Sequence, residues 1–149
     1  MSSSQTLPYE TTLLVRDCCL CLHMQRAARA LARRFDDALR PFELTNGQFS
    51  LLMSLNRPVP PSMGPVASLL AMDRTTLTAA LKPLERRGLV EVLRDQSDGR
   101  SRLVKLTDNG RELLARALPV WKSTHDQVGQ LIPDQDPEAL RRSLRALSI

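Results

Sequence analysis

Residues 73–106 read DRTTLTAALKPLERRGLVEVLRDQSDGRSRLVKL, and their pattern changes at Gly88. Before this glycine the apolar residues recur every three or four positions, which predicts an amphipathic helix. After it, LVEVLR (89–94) and SRLVKL (101–106) are rich in valine and leucine and flank a polar turn, which predicts an antiparallel hairpin. A short helix that leads directly into a hairpin is typical of a winged helix-turn-helix, and this motif decides the expected fold.

The sequence on both sides of this stretch predicts a mainly helical chain. The apolar spacing, with Asp73 and Thr107 as N-caps and Pro41 as a stop, predicts helices at about residues 11–39, 45–55, 65–71, 74–87, 107–131 and 138–147. We therefore expect a mainly α fold with a small β-hairpin, in which a winged helix-turn-helix lobe (45–106) forms part of a single chain of residues 1–149. The flanking helices, at 11–40 and 108–149, are more apolar than a small core needs, so they are predicted to be dimerisation helices.

Charge and cysteine content narrow the possible partners. The 149 residues carry a formal net charge of +5, which favours a polyanionic partner such as nucleic acid. No run of about 18 apolar residues is present, so no membrane partner is expected. The N-terminal sequence lacks the pattern of a signal peptide, and the cysteines are confined to positions 18, 19 and 21, which leaves no disulfide framework and favours a cytoplasmic protein.

The helix predicted at 74–87 has the side chains needed to enter a DNA major groove. At about 100° per residue, the inner face is expected to hold Leu77, Ala80, Leu81, Leu84 and Gly88, and the opposite side carries hydroxyl, methyl and cationic groups. Threonine can bond phosphates or base edges, a small alanine permits close approach, and lysine or arginine reaches phosphates. The DNA contacts expected on this helix are Arg74, Thr75, Thr76, Thr78, Ala79, Lys82 and Arg86. The alternative is a solvated helix face that happens to be basic.

The hairpin supplies a second predicted DNA-binding element. An arginine at its tip suits a narrow minor groove, where the negative potential is strongest. Asp98 lies two residues before Arg100 and is expected to hold that arginine side chain extended when DNA is absent. The DNA contacts expected on the hairpin are Arg94, Ser97, Arg100 and Arg102. The alternative is a flexible polar turn, although a turn needs no arginine at its tip.

Several motifs give the chain a resemblance to a known family. TNGQFSLLMSL (45–55), TTLT with LKPLERRGLV (75–90), and a D-x-x-D-x-R pattern followed by LTDNG (95–110) resemble the MarR family of bacterial transcriptional regulators. The resemblance implies a homodimer on a pseudo-palindromic operator, with recognition helices in major grooves about 34 Å apart and wings in the flanking minor grooves. The chain departs from the family pattern at Ala79 and Gly99, where many members have arginine.

The same resemblance implies a sensor pocket between the dimerisation helices and the DNA-binding lobe. Its candidate lining residues are His23, Phe35, Phe49 and Trp121. The implied ligand is an aromatic or lipophilic acid that binds a state with the wrong spacing between the recognition helices and so releases a repressor from DNA. The competing interpretation, which the sequence favours, is that all four residues belong to the packed core.

The cysteines suggest an alternative trigger. LCLHMQRAARAL (20–31) is similar to the first helix of the organic-hydroperoxide-sensing branch of the MarR family, and in that alignment Cys21 falls on the peroxide-reactive cysteine. The alternative function is therefore a thiol-based peroxide-sensing repressor. On an uninterrupted helix Cys21 is expected to be partly buried and Cys19 exposed. Packing as small apolar groups is the competing interpretation of the cysteines.

Other classes of function find little support. No phosphate-cradling glycine loop, nucleophile elbow or nucleophile–base set is present, so the chain is expected to be neither an enzyme nor dependent on a cofactor. On an ideal helix His23 points about 160° away from Cys21 and about 140° away from Cys18, so these three residues cannot surround one ion and no metal site is expected. A winged helix used for protein contact is the remaining rival, and the outward threonines and cations argue against it.

Overall fold

The secondary structure follows the predicted order, with one additional break. The computed structural model describes residues 6–149, and the chain divides into two compact units between Arg34 and Phe35. Its elements are α1 (Tyr9–Cys18), α2 (Leu20–Leu39), α3 (Asn46–Ser54), α4 (Met63–Leu69), α5 (Arg74–Arg86), β1 (Val90–Arg94), β2 (Arg102–Leu106), α6 (Asp108–Gln130) and α7 (Pro137–Ala146). The mainly α fold with one hairpin is confirmed. Every predicted element after the first helix begins and ends within two residues of the observed first and last residues.

In the first unit, the long helix predicted for residues 11–39 is interrupted at Cys19. This residue has φ −71° and ψ 109°, an extended conformation that ends α1 just before α2 begins. Its N–H still donates to the Val15 carbonyl at 3.0 Å, and its sulfur accepts from the backbone N–H of Leu22 at 3.4 Å, where an N-cap oxygen would lie. The prediction of one uninterrupted helix is therefore wrong, because a cysteine acts as the cap and the apolar spacing continues through it.

The interruption also changes which cysteine is covered. Cys19 is partly buried, whereas Cys18 and Cys21 are exposed. The expected burial, with Cys21 partly buried and Cys19 exposed, is wrong because it assumed a continuous helical turn through position 19. His23 takes part in the same break, since its Nδ1 lies 2.8 Å from the carbonyl oxygen of Cys19.

The core of the second unit is built mainly from leucine and valine. Its most enclosed side chains come from all elements between the end of α2 and the first half of α6, and they include Leu39, Leu52, Leu77, Leu84, Val66, Val104, Leu106 and Ala117. On α5 the buried residues are Leu77, Leu81 and Leu84. Of the other two expected on the inner face, Ala80 is half-buried and Gly88, which lies beyond the end of the helix, is exposed. Burying one leucine contributes roughly 1.5–3 kcal/mol, so this inner face determines which residues of α5 point outward.

Side-chain caps set where three helices of this unit begin. The Thr45 hydroxyl accepts from the N–H of Gln48 while the Gln48 side chain accepts from the N–H of Thr45, both at 3.1 Å, which forms a capping box on α3. The Asp73 carboxylate accepts from the N–H of Thr76 at 2.7 Å, and this bond lowers the pKa of Asp73. Thr107 caps α6. The predicted caps Asp73 and Thr107 are thus confirmed.

The hairpin is closed at its base by the residues that enter and leave it. The two strands pair antiparallel, from Val90 opposite Leu106 to Arg94 opposite Arg102. At the base, the N–H of Thr107 donates to the Leu89 carbonyl at 3.1 Å, and the Thr107 hydroxyl donates to the Gly88 carbonyl at 2.7 Å. Gly88 has φ +70°, a conformation that glycine adopts without strain and that turns the chain from α5 into β1.

Gly110, in the first turn of α6, packs against this base without space for a side chain. A Cβ atom here would overlap the carbonyl oxygen of Leu89 and would lie 2.7 Å from Cδ1 of Leu106. The glycine of the LTDNG motif is therefore explained by the close approach of α6 to the hairpin.

The proline-rich segment before α4 contacts the free edge of the hairpin. The N–H of Val104 donates to the Pro61 carbonyl at 2.9 Å, and Ser62 forms an antiparallel bridge with Leu103. The hairpin is thereby joined to the start of α4 as well as to α5 and α6.

Candidate nucleic-acid interface

The outer side of α5 is open to solvent at every position predicted to contact DNA. Those positions are Arg74, Thr75, Thr76, Thr78, Ala79, Lys82 and Arg86. Because the leucines of the inner face are buried, the helix offers only this side to a partner. All seven are exposed, and the stretch of helix that they cover is about 18 Å long at 1.5 Å per residue.

Local hydrogen bonds define what this surface can offer. The Thr78 hydroxyl donates to the Arg74 carbonyl at 2.8 Å, so its proton is used within the helix, and its lone pairs and methyl group remain for a partner. The Arg74 guanidinium lies beside Gly64, where a Cβ atom would come within 3.3 Å of Nη2. The lack of a side chain at Gly64 leaves room for Arg74 between α4 and α5.

Pro83 lies inside α5 and removes one helical hydrogen bond. It has no N–H, so the carbonyl of Ala79 lacks its usual donor four residues later. The helix nevertheless continues to Arg86, and the N–H of Arg87 bonds back to the Pro83 carbonyl at 3.2 Å. The N-terminal half of α5, which carries most of the predicted contacts, precedes this position.

Two arginines face each other across the hairpin. Arg94 and Arg102 are directly opposite in β1 and β2, and both are exposed. Like charges at directly opposite positions destabilise an antiparallel pair. The two positive charges therefore lie side by side at the end of the ladder nearest the tip.

The hairpin tip is organised by its own aspartates. Asp95 accepts from the hydroxyl and the N–H of Ser97, at 2.7 and 3.0 Å, and these bonds lower the pKa of Asp95. Asp98 accepts from the backbone N–H of Arg100 at 3.1 Å. The prediction that Asp98 holds the Arg100 side chain is therefore wrong, because the carboxylate is engaged in a local turn. The Arg100 side chain is exposed.

The predicted DNA-contacting cations are not neutralised by neighbouring carboxylates. Among residues 6–149 the ion pairs involve Arg16, Arg40, Arg111, Arg141 and Arg145. The cations outside these pairs include Arg74, Lys82, Arg86, Arg94, Arg100 and Arg102. We term these cations, together with the outward threonines of α5, the basic face. Its uncompensated charge suits a phosphate backbone, since each phosphate neutralised releases counterions.

One arginine that the sequence did not single out is bound to the protein's own backbone. Arg87 follows α5, and its guanidinium donates to the Glu43 carbonyl at 2.6 Å and to the Phe42 carbonyl at 3.3 Å. Its neighbour Arg86 is exposed and forms no ion pair among residues 6–149. A helical wheel separates the two by about 100°, but only the fold shows which surface lies beside Arg87.

A cavity of about 140 Å³ lies among aromatic side chains of the second unit. Its walls are formed by Phe35, Leu39, Asn46, Phe49, Ser50 and Trp121. Trp121 stacks on Phe49 with ring centroids 5.9 Å apart, and its centroid is 6.4 Å from that of Phe35. The structure thus brings together Phe35, Phe49 and Trp121 of the predicted pocket. His23 belongs to the first unit, where its ring contacts the Cys19 carbonyl.

The surroundings of this cavity include residues that the sequence did not reveal. An apolar groove of about 330 Å³ shares Phe49, Ser50 and Trp121 with the cavity and continues along Met53, Ser54, Leu69 and Leu70. On the cavity wall, Asn46 donates through its N–H and its Nδ2 to Asp36 Oδ1, at 2.7 and 2.8 Å. These bonds lower the pKa of Asp36. Short polar stretches carry no pattern that marks a cavity wall.

Residues 6–149 contain no group of three or more His, Cys, Asp or Glu side chains placed to hold an ion. In that range no helix combines the length and apolar character needed to cross a bilayer.

The chain is similar to proteins of one family. The model of the MarR family matches residues 44–101. The Mycobacterium tuberculosis transcriptional regulator MosR, solved in complex with DNA, is 35% identical, with 87% of this chain and 93% of that chain covered and a TM-score of 0.77. The transcriptional repressor CouR, bound to a 23-mer DNA duplex, is 31% identical, with 91% and 96% covered and a TM-score of 0.80. The transcriptional repressor MprA of Escherichia coli K12 is 28% identical over 150 residues, which cover 98% of this chain and 81% of MprA. The likeness confirms the winged helix-turn-helix fold.

Proposed function

Because this chain belongs to the MarR family of transcriptional regulators, we propose that it is a sequence-specific repressor that binds double-stranded DNA as a homodimer and is released by a small molecule. The observation that carries the proposal is the basic face, in which outward threonines and unneutralised cations lie on α5 and opposed arginines lie on the wing. The similar regulators solved on DNA support it.

On this proposal α5 is the recognition helix and enters the major groove. Its threonines contact base edges and thymine methyl groups, and the small side chain of Ala79 lets the helix approach the bases. Lys82 and Arg86 bind phosphates, and Arg74 binds a phosphate or a guanine. The wing places Arg100 in the adjacent minor groove, and phosphates of the two strands lie close to Arg94 and Arg102.

The proposed homodimer is supported by apolar side chains that the single chain leaves uncovered. In the C-terminal region Leu131, Leu144 and Leu147 are 59%, 39% and 61% exposed. In the first unit Leu14 and Val15 of α1 are also more than half exposed. Exposed apolar groups in the terminal regions of the chain fit an interface with a second copy. Two copies would then address the two halves of a pseudo-palindromic operator.

DNA binding is tested by salt-dependent titration of the wild-type protein and variants. The operator is first located by footprinting upstream of the protein's own gene. Arg102→Ala should weaken binding to the operator and to an unrelated duplex alike and lower the salt slope by about 1. Thr75→Ala should weaken binding to the operator selectively. The control is Arg116→Ala, because Arg116 is an exposed cation of α6 outside the basic face. If wild-type protein never binds duplex DNA above background at low salt, the proposal is wrong.

We place the effector in the aromatic cavity. A volume of about 140 Å³ between Phe35, Phe49 and Trp121 suits a single aromatic ring, and the adjoining groove of about 330 Å³ suits an apolar extension. Asn46 and Ser50 supply polar groups to the cavity wall. An aromatic or lipophilic acid is therefore the class of effector that we propose, and it acts by favouring a state that binds the operator less well.

The effector site can be tested with the protein's own fluorescence. Trp121 is the only tryptophan in the chain and lines both the cavity and the adjoining groove, so its emission reports this combined site. Benzoate, salicylate and cinnamate are suitable probes, and a binding acid should change the emission in a saturable way. Ser50→Phe fills the cavity and should abolish this change while DNA binding persists. A response in Ser50→Phe equal to that of the wild type would exclude the cavity as the site.

A thiol-based trigger is the second candidate, because Cys21 is accessible. Its sulfur is exposed and accepts a hydrogen bond from Gln25 Nε2 at 3.3 Å. An organic hydroperoxide would oxidise the thiol to a sulfenic acid and be reduced to the alcohol. Cumene hydroperoxide should then release the wild type and Cys18→Ser from the operator, but not Cys21→Ser. If Cys21→Ser is released as readily as the wild type, Cys21 is not the sensor.

A further inference from the structure

Arg87 joins the end of α5 to a turn 44 residues earlier in the chain. Its N–H bonds to the Pro83 carbonyl at 3.2 Å, so Arg87 is held by the last turn of the helix. Its guanidinium donates from Nη1 to the Glu43 carbonyl at 2.6 Å and from Nη2 to the Phe42 carbonyl at 3.3 Å. A planar fork on two successive carbonyl groups fixes both distance and direction, which the single ammonium of a lysine does not.

The turn that Arg87 grips has an unfavourable backbone conformation. Glu43 has φ +53° and ψ +39°, the left-handed region that residues with a side chain rarely adopt. The turn follows the 3-10 segment Arg40–Phe42, and the N–H of Glu43 donates to the Arg40 carbonyl at 2.9 Å. A conformation of this kind persists only when surrounding contacts hold it. The two hydrogen bonds from Arg87 are such contacts.

The same turn begins and ends at the wall of the aromatic cavity. Leu39, just before it, and Asn46, just after it, both line the cavity. Asn46 is tied back to α2 by its two hydrogen bonds to Asp36. Residues 40–45 are therefore flanked on both sides by residues of the cavity wall. In the middle, their carbonyl groups at 42 and 43 accept hydrogen bonds from Arg87.

We propose that Arg87 is a positioning residue for operator recognition, which sets the orientation of α5 through the turn at 42–43 and makes that orientation depend on the state of the cavity. The proposal rests on the proposed function, because it takes α5 as the element that reads DNA. A molecule that displaces Leu39 or Asn46 moves the turn, and the turn moves the end of α5. Arg87 acts through the protein backbone, whereas its neighbour Arg86 contacts phosphate.

The adjacent arginines provide a matched pair for the test, since each alanine variant removes the same charge one residue apart. Arg86→Ala should weaken binding to operator and unrelated duplex equally and lower the salt slope by about 1. Arg87→Ala should leave the slope unchanged and reduce the ratio of the two affinities by roughly tenfold, a typical coupling between sites. Arg87→Lys keeps the charge but should not restore the ratio. A lowered slope in Arg87→Ala, or a restored ratio in Arg87→Lys, would overturn the proposal.

Two further measurements separate this proposal from the proposed function. Hydrogen exchange of the free protein should be faster at residues 40–46 in Arg87→Ala and Arg87→Lys, but not in Arg86→Ala; unchanged exchange overturns the proposal without any DNA assay. Faster exchange in a protein that binds no DNA would instead refute the proposed function. The ratio of operator affinity to unrelated-duplex affinity is also compared among Asp36→Ala, Arg87→Ala and the double variant. The double variant should have a ratio no lower than that of the more impaired single variant. Additive losses would show that the turn does not link the cavity to α5.

Discussion

Replacing Gly110 with alanine should destabilise the protein, although alanine is the better helix former. In the first turn of α6 the added Cβ overlaps the Leu89 carbonyl oxygen and approaches Leu106 Cδ1 to 2.7 Å. Alanine gains up to about 1 kcal/mol over glycine in a helix, whereas overpacking a tight contact costs about 1–3 kcal/mol. The upper part of that range applies here, because one of the crowded atoms is a backbone oxygen that also accepts the Thr107 N–H at 3.1 Å.

The expected net loss is about 1–2 kcal/mol of unfolding free energy, which lowers the Tm by roughly 2–8 °C in a chain of this size. Gly47→Ala is the matched control, since Gly47 also lies in the first turn of a helix, α3. Its Cβ position has Thr45 Oγ1 as its nearest neighbour, at 4.0 Å, which is ordinary contact. Alanine at position 47 should therefore stabilise the protein, by up to about 1 kcal/mol.

Urea unfolding at a fixed protein concentration, followed by far-ultraviolet circular dichroism, measures both changes. The two variants should shift the unfolding midpoint in opposite directions with the same slope. If Gly110→Ala is as stable as the wild type, α6 does not approach the hairpin as closely as described, and the explanation of the LTDNG glycine is wrong.

Four other substitutions test separate parts of the structure. The bonds from Asn46 hold the pKa of Asp36 below its ordinary value, so their stabilisation is present above the unfolded pKa of about 4 and is lost as the pH falls through the lower folded pKa. Asp36→Asn should therefore be less stable than the wild type near neutral pH and lose less stability on acidification, as urea midpoints at a series of pH values would show. Thr45→Ala removes the capping box and should lower the unfolding free energy by about 1 kcal/mol, a difference that calorimetry resolves. Leu77→Ala, at a fully buried position, should cost about 2–5 kcal/mol, and Leu69→Ala, at a position that is 63% exposed, less than about 0.5 kcal/mol. Equal losses at the two leucines would contradict the packing of α5.

Most of the second unit could be predicted from local patterns. The change of period at Gly88 marks the passage from α5 to the hairpin, and the three leucines on one face of α5 are the residues that the core buries. Asp73 and Thr107 act as caps through side chains that suit this role. Exposure of the basic face follows directly, because residues opposite a buried stripe must point outward.

The features that the sequence did not reveal depend on unusual caps or on distant contacts. The first long helix is interrupted at Cys19, whose sulfur accepts from the N–H of Leu22 as an N-cap would. The apolar spacing continues across this position and gives no sign of the interruption. The Asp98 carboxylate accepts from the backbone N–H of Arg100, whereas the sequence suggests that it binds the Arg100 side chain. The contact of Arg87 with the turn at 42–43 joins segments far apart in the chain, and no local pattern encodes it.

The hydrogen-bonded base of the hairpin separates the helices from the charged tip of the wing. Thr107 closes the base through Gly88 and Leu89, while the tip has its own backbone bonds between Asp95, Asp98 and Ser101. Lengthening a loop costs only about 0.6 kcal/mol for each doubling, so the segment between the strands can change in length and composition without disturbing the helices. If the wing binds the minor groove as proposed, its tip can therefore change in length and composition, and so in its DNA contacts, while the base and the helices keep their bonds.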